Sequence, residues 1–187
     1  MIKITHQLES KDYYIPKWSL KYLFIGTFNP EGGDAVAYYY GREKNKFWPI
    51  LRELTGLDFD LNNPAKFYNE IKQAGIGCID MIHAVELPEK QAEYITGKGY
   101  SDSKIINNKV ARIYNTQKIN ELISKNPGVN VLSTWGQGSN LSEWKNEVEK
   151  IQNVVPLVSP SMAARVPKGT KKFQFMVDDW RSKIDFK

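Results

Sequence analysis

The chain has 187 residues, 41% hydrophobic and 25% charged, with 26 basic residues against 21 acidic ones and a net charge of +5. That is enough for one domain, residues 1–187, to bury a full core, and the pI of about 9.1 points toward a polyanionic partner without requiring one. The lone Cys78 excludes an internal disulfide and a four-thiolate metal centre, and His6 and His83 are too few and too distant in sequence for a zinc set.

Met1 to Ser10 is polar, without a signal-peptide core. No apolar run approaches the roughly 20 residues that span a bilayer. A cytoplasmic location, or a nucleoid-associated one if the partner is DNA, and no membrane partner are therefore expected. The leader up to about Lys21 carries Tyr13, Tyr14 and Trp18 and is expected to pack on the body.

Tyr22 to Gly26 is a short continuous apolar run, the pattern of a strand buried on both faces. Phe47, Trp48, Ile50, Leu51 and Leu54 follow helical spacing. Pro49 is tolerated only in a first turn, which puts the helix start near Asn45, a plausible N-cap. Pro64 to Ala74 predicts a second helix and Gly75 to Ile82 a second buried strand, with Cys78 as a buried thiol. Val85 to Tyr100 reads as a long loop. Ser103 to Lys125 reads as one helix, stopped by Asn126-Pro127-Gly128. Val129 to Trp135 predicts a third strand, followed by the turn Gly136-Gln137-Gly138 and a helix over Leu141 to Ile151. Val154 to Val158 predicts a fourth strand, at an edge because of Pro156. A loop from Ser159 to Gly169 leads into a last helix through Phe173, Met176, Val177 and Trp180.

Buried strands alternating with helices imply an α/β fold with three α/β/α layers and a mostly parallel central sheet of about four strands. Ligands in such sheets lie beyond the carboxyl ends of the strands. The unusual segments all fall there: Gly26 to Asn45, Asp80 to His83, Trp135 to Ser139 and Ser159 to Lys168. No P-loop, dinucleotide fingerprint or nucleophile elbow is present. Asp80 at a strand end suits a general base, although a lone Asp there more often caps a helix or pairs with a lysine.

Gly26-Thr27-Phe28-Asn29-Pro30, followed by Tyr39-Tyr40-Gly41-Arg42-Glu43-Lys44-Asn45-Lys46-Phe47-Trp48, resembles the first motif of the uracil-DNA glycosylase superfamily. The resemblance is nearest to the hypoxanthine-DNA (deoxyinosine) branch, then to the mismatch-specific uracil/thymine branch. Gly75 to Ile82 is similar to the deoxyinosine branch's G-I-A-L-W-D-V-I, and Gly99 to Ile105 to its G-S-x-D-S-x-I. Val155 to Pro160 stands where the superfamily has L-P-S-T-S-P-A-N. The ordered matches run from Tyr22 to Trp180. Four features depart from the pattern, one being that Leu157-Val158 precede Ser159-Pro160 without the histidine of the uracil-specific enzymes' last motif. Arg42-Glu43-Lys44 replaces His-Pro-x, Ser133-Thr134-Trp135-Gly136 replaces F-N-G, and Ser161-Met162 replaces Ala-Asn.

The resemblance implies a monofunctional, monomeric glycosylase of base excision repair, without metal or cofactor, acting on DNA that holds a deaminated or mismatched base. Asn45 matches the catalytic amide. Asn29 lies one residue from the water-positioning amide. Gly26, Thr27, Phe28, Tyr40, Asp80 and Trp135 form the base-binding set, with Tyr40 stacking on the flipped base. Ser159, Pro160, Ser161, Met162, Arg165 and Lys168 form the DNA-binding loop, Met162 filling the vacated stack and the cations neutralising phosphates. The altered motifs keep open a non-catalytic nucleic-acid-binding protein of the same fold. A nucleoside or nucleotide hydrolase using the same pocket is a third reading.

Overall fold

The structure is a computed structural model and describes residues 1–135 and 142–186. In chain order the elements are β1 (Ile2–Thr5), β2 (Tyr22–Gly26), α1 (Phe47–Thr55), α2 (Pro64–Gln73), β3 (Ile76–Asp80), β4 (Ile82–Leu87), α3 (Asp102–Asn107), β5 (Ala111–Tyr114), α4 (Thr116–Lys125), β6 (Asn130–Ser133), α5 (Ser142–Val148), β7 (Val154–Pro156) and α6 (Lys172–Lys183). A 3-10 segment, Glu89–Tyr94, joins β4 to α3.

The central sheet is parallel, in the order β3-β2-β6-β7. Every residue of β2 is buried, as its unbroken apolar run predicts. The period of two splits the strand between two cores. Tyr22 and Phe24 face one cluster, with Phe47 and Leu51 of α1, Phe67 of α2 and Trp180 of α6. Leu23 and Ile25 face the other, with Ile119 and Leu122 of α4 and Ile151. Helices therefore cover both faces of the sheet, giving three α/β/α layers. Phe24 is fully buried, edge-on to Phe47 at 5.0 Å and stacked on Trp180 at 5.5 Å, so one residue ties β2 to α1 and α6. Burying such a side chain contributes about 1.5–3 kcal/mol. β7 is an edge strand, where Pro156 costs no ladder bond on its open side.

Beside this body stands a second, antiparallel sheet in the order β1-β4-β5. The sequence reading does not contain it, and two expectations are corrected by it. The leader packs on the body through Tyr13, Tyr14 and Trp18, as expected, and also supplies β1. The Val85 to Tyr100 loop instead opens with the end of β4 and holds the 3-10 segment. The single helix over Ser103 to Lys125 is broken into α3, β5 and α4. The break lies at Asn108-Lys109, where Lys109 takes φ 50°, a left-handed conformation that no helix interior accepts. Ile82, Val85, Ile105 and Val110 then form a third cluster with Phe28 and Trp144.

Smaller boundaries shift as well. β3 ends at Asp80, and the chain turns at Met81 into the second sheet. α1 starts at Phe47, with Pro49 in its first turn as expected. Gly136-Gln137-Gly138, Ser139 and Leu141 lie outside the described residues.

Candidate functional site

The carboxyl ends of β2, β3 and β6 bring together most of the residues singled out in the sequence. Parallel pairing sets Gly26 opposite Asp80 and Ile25 opposite Ser133. The strand order reverses between β2 and β6, the position where open α/β sheets leave a crevice.

Asp80 is the hub. It is buried, and its Oδ2 accepts from Nδ2 of Asn29 at 2.9 Å and from Nε2 of His6 at 2.8 Å. A carboxylate only accepts, so the Asn29 amide must turn its nitrogen toward Asp80. Its carbonyl oxygen Oδ1 is then directed away, with no donor among the described residues. His6 is fixed in the same way. Its Nδ1 accepts from the backbone N–H of Leu8 at 3.1 Å, so the ring proton sits on Nε2 and points at Asp80. Behind the hub, Asn115 Nδ2 donates to the main-chain oxygen of Asp80 at 2.8 Å and to the Tyr14 hydroxyl at 3.1 Å.

Gly26 is the floor of the site. A Cβ built there would stand 2.1 Å from Asp80 Oδ1 and 2.9 Å from the Tyr40 hydroxyl. Only a residue without a side chain allows both polar atoms to approach the strand end so closely.

Tyr40 closes the crevice. Its hydroxyl bonds Thr134 Oγ1 at 3.1 Å, and its ring lies flat on Phe47, centroids 3.9 Å apart and 5° from parallel. Its backbone is left-handed, φ 57°. Burial, with Cys78 and Asp80 nearby, pushes the phenol well above its ordinary pKa, so it stays a neutral donor and acceptor. Asn45 sits two residues before Phe47, and its Oδ1 accepts from Phe47 N–H at 2.9 Å, capping α1 where Lys46 does not. Its Nδ2 donates to nothing among the described residues.

A second carboxyl stands on the far side of Thr27. Asp102, at the start of α3, accepts from Thr27 Oγ1 at 2.8 Å and from the Tyr100 hydroxyl at 3.1 Å. Arg42 Nη1 donates to the Tyr100 main-chain oxygen at 3.2 Å, while its buried Nε has no hydrogen-bond partner among the described residues. Burial pushes the Asp102 carboxyl up to about 6, against the pull of the Thr27 and Tyr100 hydrogen bonds; Asp80 adds to the rise and Arg42 opposes it. The folded chain thus holds this proton more tightly than the unfolded one. The associated stability is complete below about pH 3.8 and is lost as pH rises through about 6. Asp102→Asn does not titrate, so thermal melts at acid and neutral pH should show it gaining several degrees on the wild type at neutral pH relative to acid.

Two of the base-binding candidates sit in flanking hydrophobic clusters rather than over Gly26. Phe28 is buried in the second sheet's cluster, edge-on to His6 at 5.9 Å and to Tyr100 at 6.1 Å. Trp135 is half-buried against the cluster of Leu23 and Ile25. The loop from Ser159 reaches the site at its near end, where Lys46 N–H donates to the Pro160 oxygen at 2.9 Å. Ser159 Oγ and Ser161 Oγ cap the turn, accepting from Ser161 and Ala163 N–H. Met162 stands 46% exposed, beside the Lys172 ammonium that donates to its oxygen, and Arg165 and Lys168 are exposed with no acid between Ser159 and Lys172.

His6, Thr134, Asp102 and Asn115 are site residues that the sequence reading did not assign. Asp102 lies in a segment already noted for resemblance; nothing in the local sequence marks the other three. A shallow groove of about 840 Å³ along α4, lined by Tyr114, Gln117 and Glu147, and one of about 420 Å³ beside Arg181 and Phe186 both lie away from Asp80. Among the described residues, no group of three or more His, Cys, Asp or Glu side chains is arranged to hold a metal ion, and no helix is long and apolar enough to cross a membrane. Compared with known proteins, the chain matches no family model, no curated protein and no solved structure.

Proposed function

We propose that the chain is a monofunctional DNA glycosylase that hydrolyses the N-glycosidic bond of a deaminated or mismatched base. The observation that carries this reading is the Asn29 amide, oriented by Asp80 at the carboxyl end of a parallel sheet with its oxygen left to hold a water. The sequence resemblance around Gly26 to Trp48 supports it. So does the exposed basic loop with Met162 at its crest, which has the chemistry of a segment that enters a groove and fills a vacated stack.

The reaction follows from these parts. A base turned out of the duplex enters at the carboxyl ends of β2 and β3 once the Tyr40 side chain, which stands over Gly26, has swung aside. The C1′–N bond breaks with its electron pair leaving on the base, and the sugar gains positive charge. Asn29 Oδ1 accepts one proton of a water and points its oxygen at C1′. The Asp80 carboxylate, poorly solvated and close by, offsets the sugar's charge. Asn45 Nδ2, free of other duties, donates toward the charge building on the base. The water oxygen bonds C1′ and its proton ends on the departing base, giving free base and an abasic sugar.

Asn45→Ala tests the assignment. Loss of the cap costs about 1 kcal/mol. Loss of one donor to the developing anion is expected to lower excision about 100-fold or more, with DNA affinity retained in a binding titration. Full excision by this variant would remove Asn45 from the mechanism.

A non-catalytic nucleic-acid-binding role is favoured by one observation. Tyr40 already stacks on Phe47 and bonds Thr134, so the crevice over Gly26 is closed as the chain stands. Steeply salt-dependent DNA binding with no abasic product on any lesion would select that role.

A further inference from the structure

We infer that His6, from the end of β1, is a positioning residue that sets the Asn29 amide through Asp80. For its chemistry the inference rests on the glycosylase reading; for the positioning it rests on geometry alone. His6 is 74 residues from Asp80 in sequence and 1% exposed, yet its Nε2 reaches Oδ2 at 2.8 Å, the same oxygen that Asn29 uses. Two donors on one oxygen fix the carboxylate plane, and the plane fixes where the Asn29 nitrogen must lie.

The ring itself has little freedom. Tyr14, Tyr39 and Phe28 surround it with centroids at 5.2, 5.5 and 5.9 Å. Its Nδ1 is held by Leu8 N–H. The backbone on either side of His6 grips the other half of the candidate turn. Gln7 N–H donates to the Asn29 oxygen at 2.9 Å, Glu31 N–H donates to the Thr5 oxygen at 2.8 Å, and His6 bridges Pro30. The Gln7 side chain continues the grip, donating to the Asp34 oxygen and accepting from Val36 N–H. Main chain and side chain of residues 5–7 thus converge on Asn29 from two directions. A histidine serving only the core has no need of the second contact to a carboxylate that already holds a site amide.

Two near-isosteric variants separate the two hydrogen bonds of the ring. His6→Gln reaches Asp80 as Nε2 does and gives up the Leu8 bond. His6→Asn keeps an acceptor for Leu8 N–H and falls short of Asp80. Each is compared with the wild type in the full chain, folded state being checked by amide dispersion; His6→Leu replaces His6→Asn if that variant does not fold. Single-turnover excision on a lesion-bearing oligonucleotide is expected to fall about 100-fold in His6→Asn, with DNA affinity unchanged, and to stay near the wild type in His6→Gln. Solvent exchange of the Asn29 side-chain amide, identified by its loss in Asn29→Ala, is expected to speed up in His6→Asn and not in His6→Gln. Equal excision in both variants, or an Asn29 amide untouched in His6→Asn, would overturn the inference. Should the wild type excise nothing, the glycosylase reading fails by itself, and the amide exchange still decides the role of His6.

Discussion

Gly26→Ala is expected to destabilise the chain by about 3 kcal/mol, the upper end of what overpacking a core costs, and to lower the melting temperature by roughly 6–12 °C for a domain of this size. The added Cβ would lie 2.1 Å from Asp80 Oδ1 and 2.9 Å from the Tyr40 hydroxyl. Neither neighbour yields easily. Asp80 is pinned by His6 and Asn29, and Tyr40 by Thr134 and the face of Phe47. If Asp80 swings away, the buried His6 and the half-buried Asn29 lose their acceptor, at a cost of about 1–3 kcal/mol for a buried donor. If β2 shifts instead, its ladders to β3 and β6 slip. Thermal melting checks the stability, and the Asn29 side-chain amide reports whether Asp80 moved. An alanine variant that melts with the wild type would show that the space above Gly26 is not the tight floor described here.

The second large effect is on the chemistry. Asn29→Ala is expected to lower excision by about 100- to 1,000-fold, the scale of losing one preorganised polar group aimed at a transition state. Single-turnover kinetics on a lesion-bearing oligonucleotide measures it. The variant removes the oxygen that would hold the water and leaves Asp80 bonded to His6. Asn29 is half-buried, whereas the basic loop that would meet phosphate is exposed, so DNA affinity should hardly change. A fall in affinity equal to the fall in excision would instead assign Asn29 to binding.

Much of the central body was legible because its signals are local. Tyr22 to Gly26 is an unbroken apolar run, and that is what a strand with a core on both faces requires. α1 and α2 announce themselves by spacing and by proline in the first turn. The second sheet was not legible, since its strands exist only by pairing with one another. Val85 to Leu87 alternates over too few residues to stand out among polar neighbours. Val110 and Ile113 continue the helical spacing of Ile105, although a left-handed Lys109 divides them from it. Partner strands decide such segments, and partners are not visible in a window of ten residues.

The site divides in the same way. Gly26, Asn29, Tyr40 and Asp80 could be placed because strand ends are where an α/β sheet exposes polar groups. What the sequence could not convey is which of them touch. Asn29 and Asp80 are 51 residues apart and bonded, and His6 completes the set from the far end of the chain. Phe28, adjacent to Asn29, faces the core of the second sheet instead.

The most direct test uses a panel of duplex and single-stranded oligonucleotides carrying uracil, hypoxanthine, xanthine or mismatched thymine. Each is incubated with the wild-type chain and with Asn29→Ala, then scored for alkali-labile abasic sites. The wild type is predicted to produce such sites on at least one of these lesions, and Asn29→Ala to produce almost none at equal DNA binding. Absence of abasic product from the wild type on every lesion, or equal product from both proteins, would contradict the account.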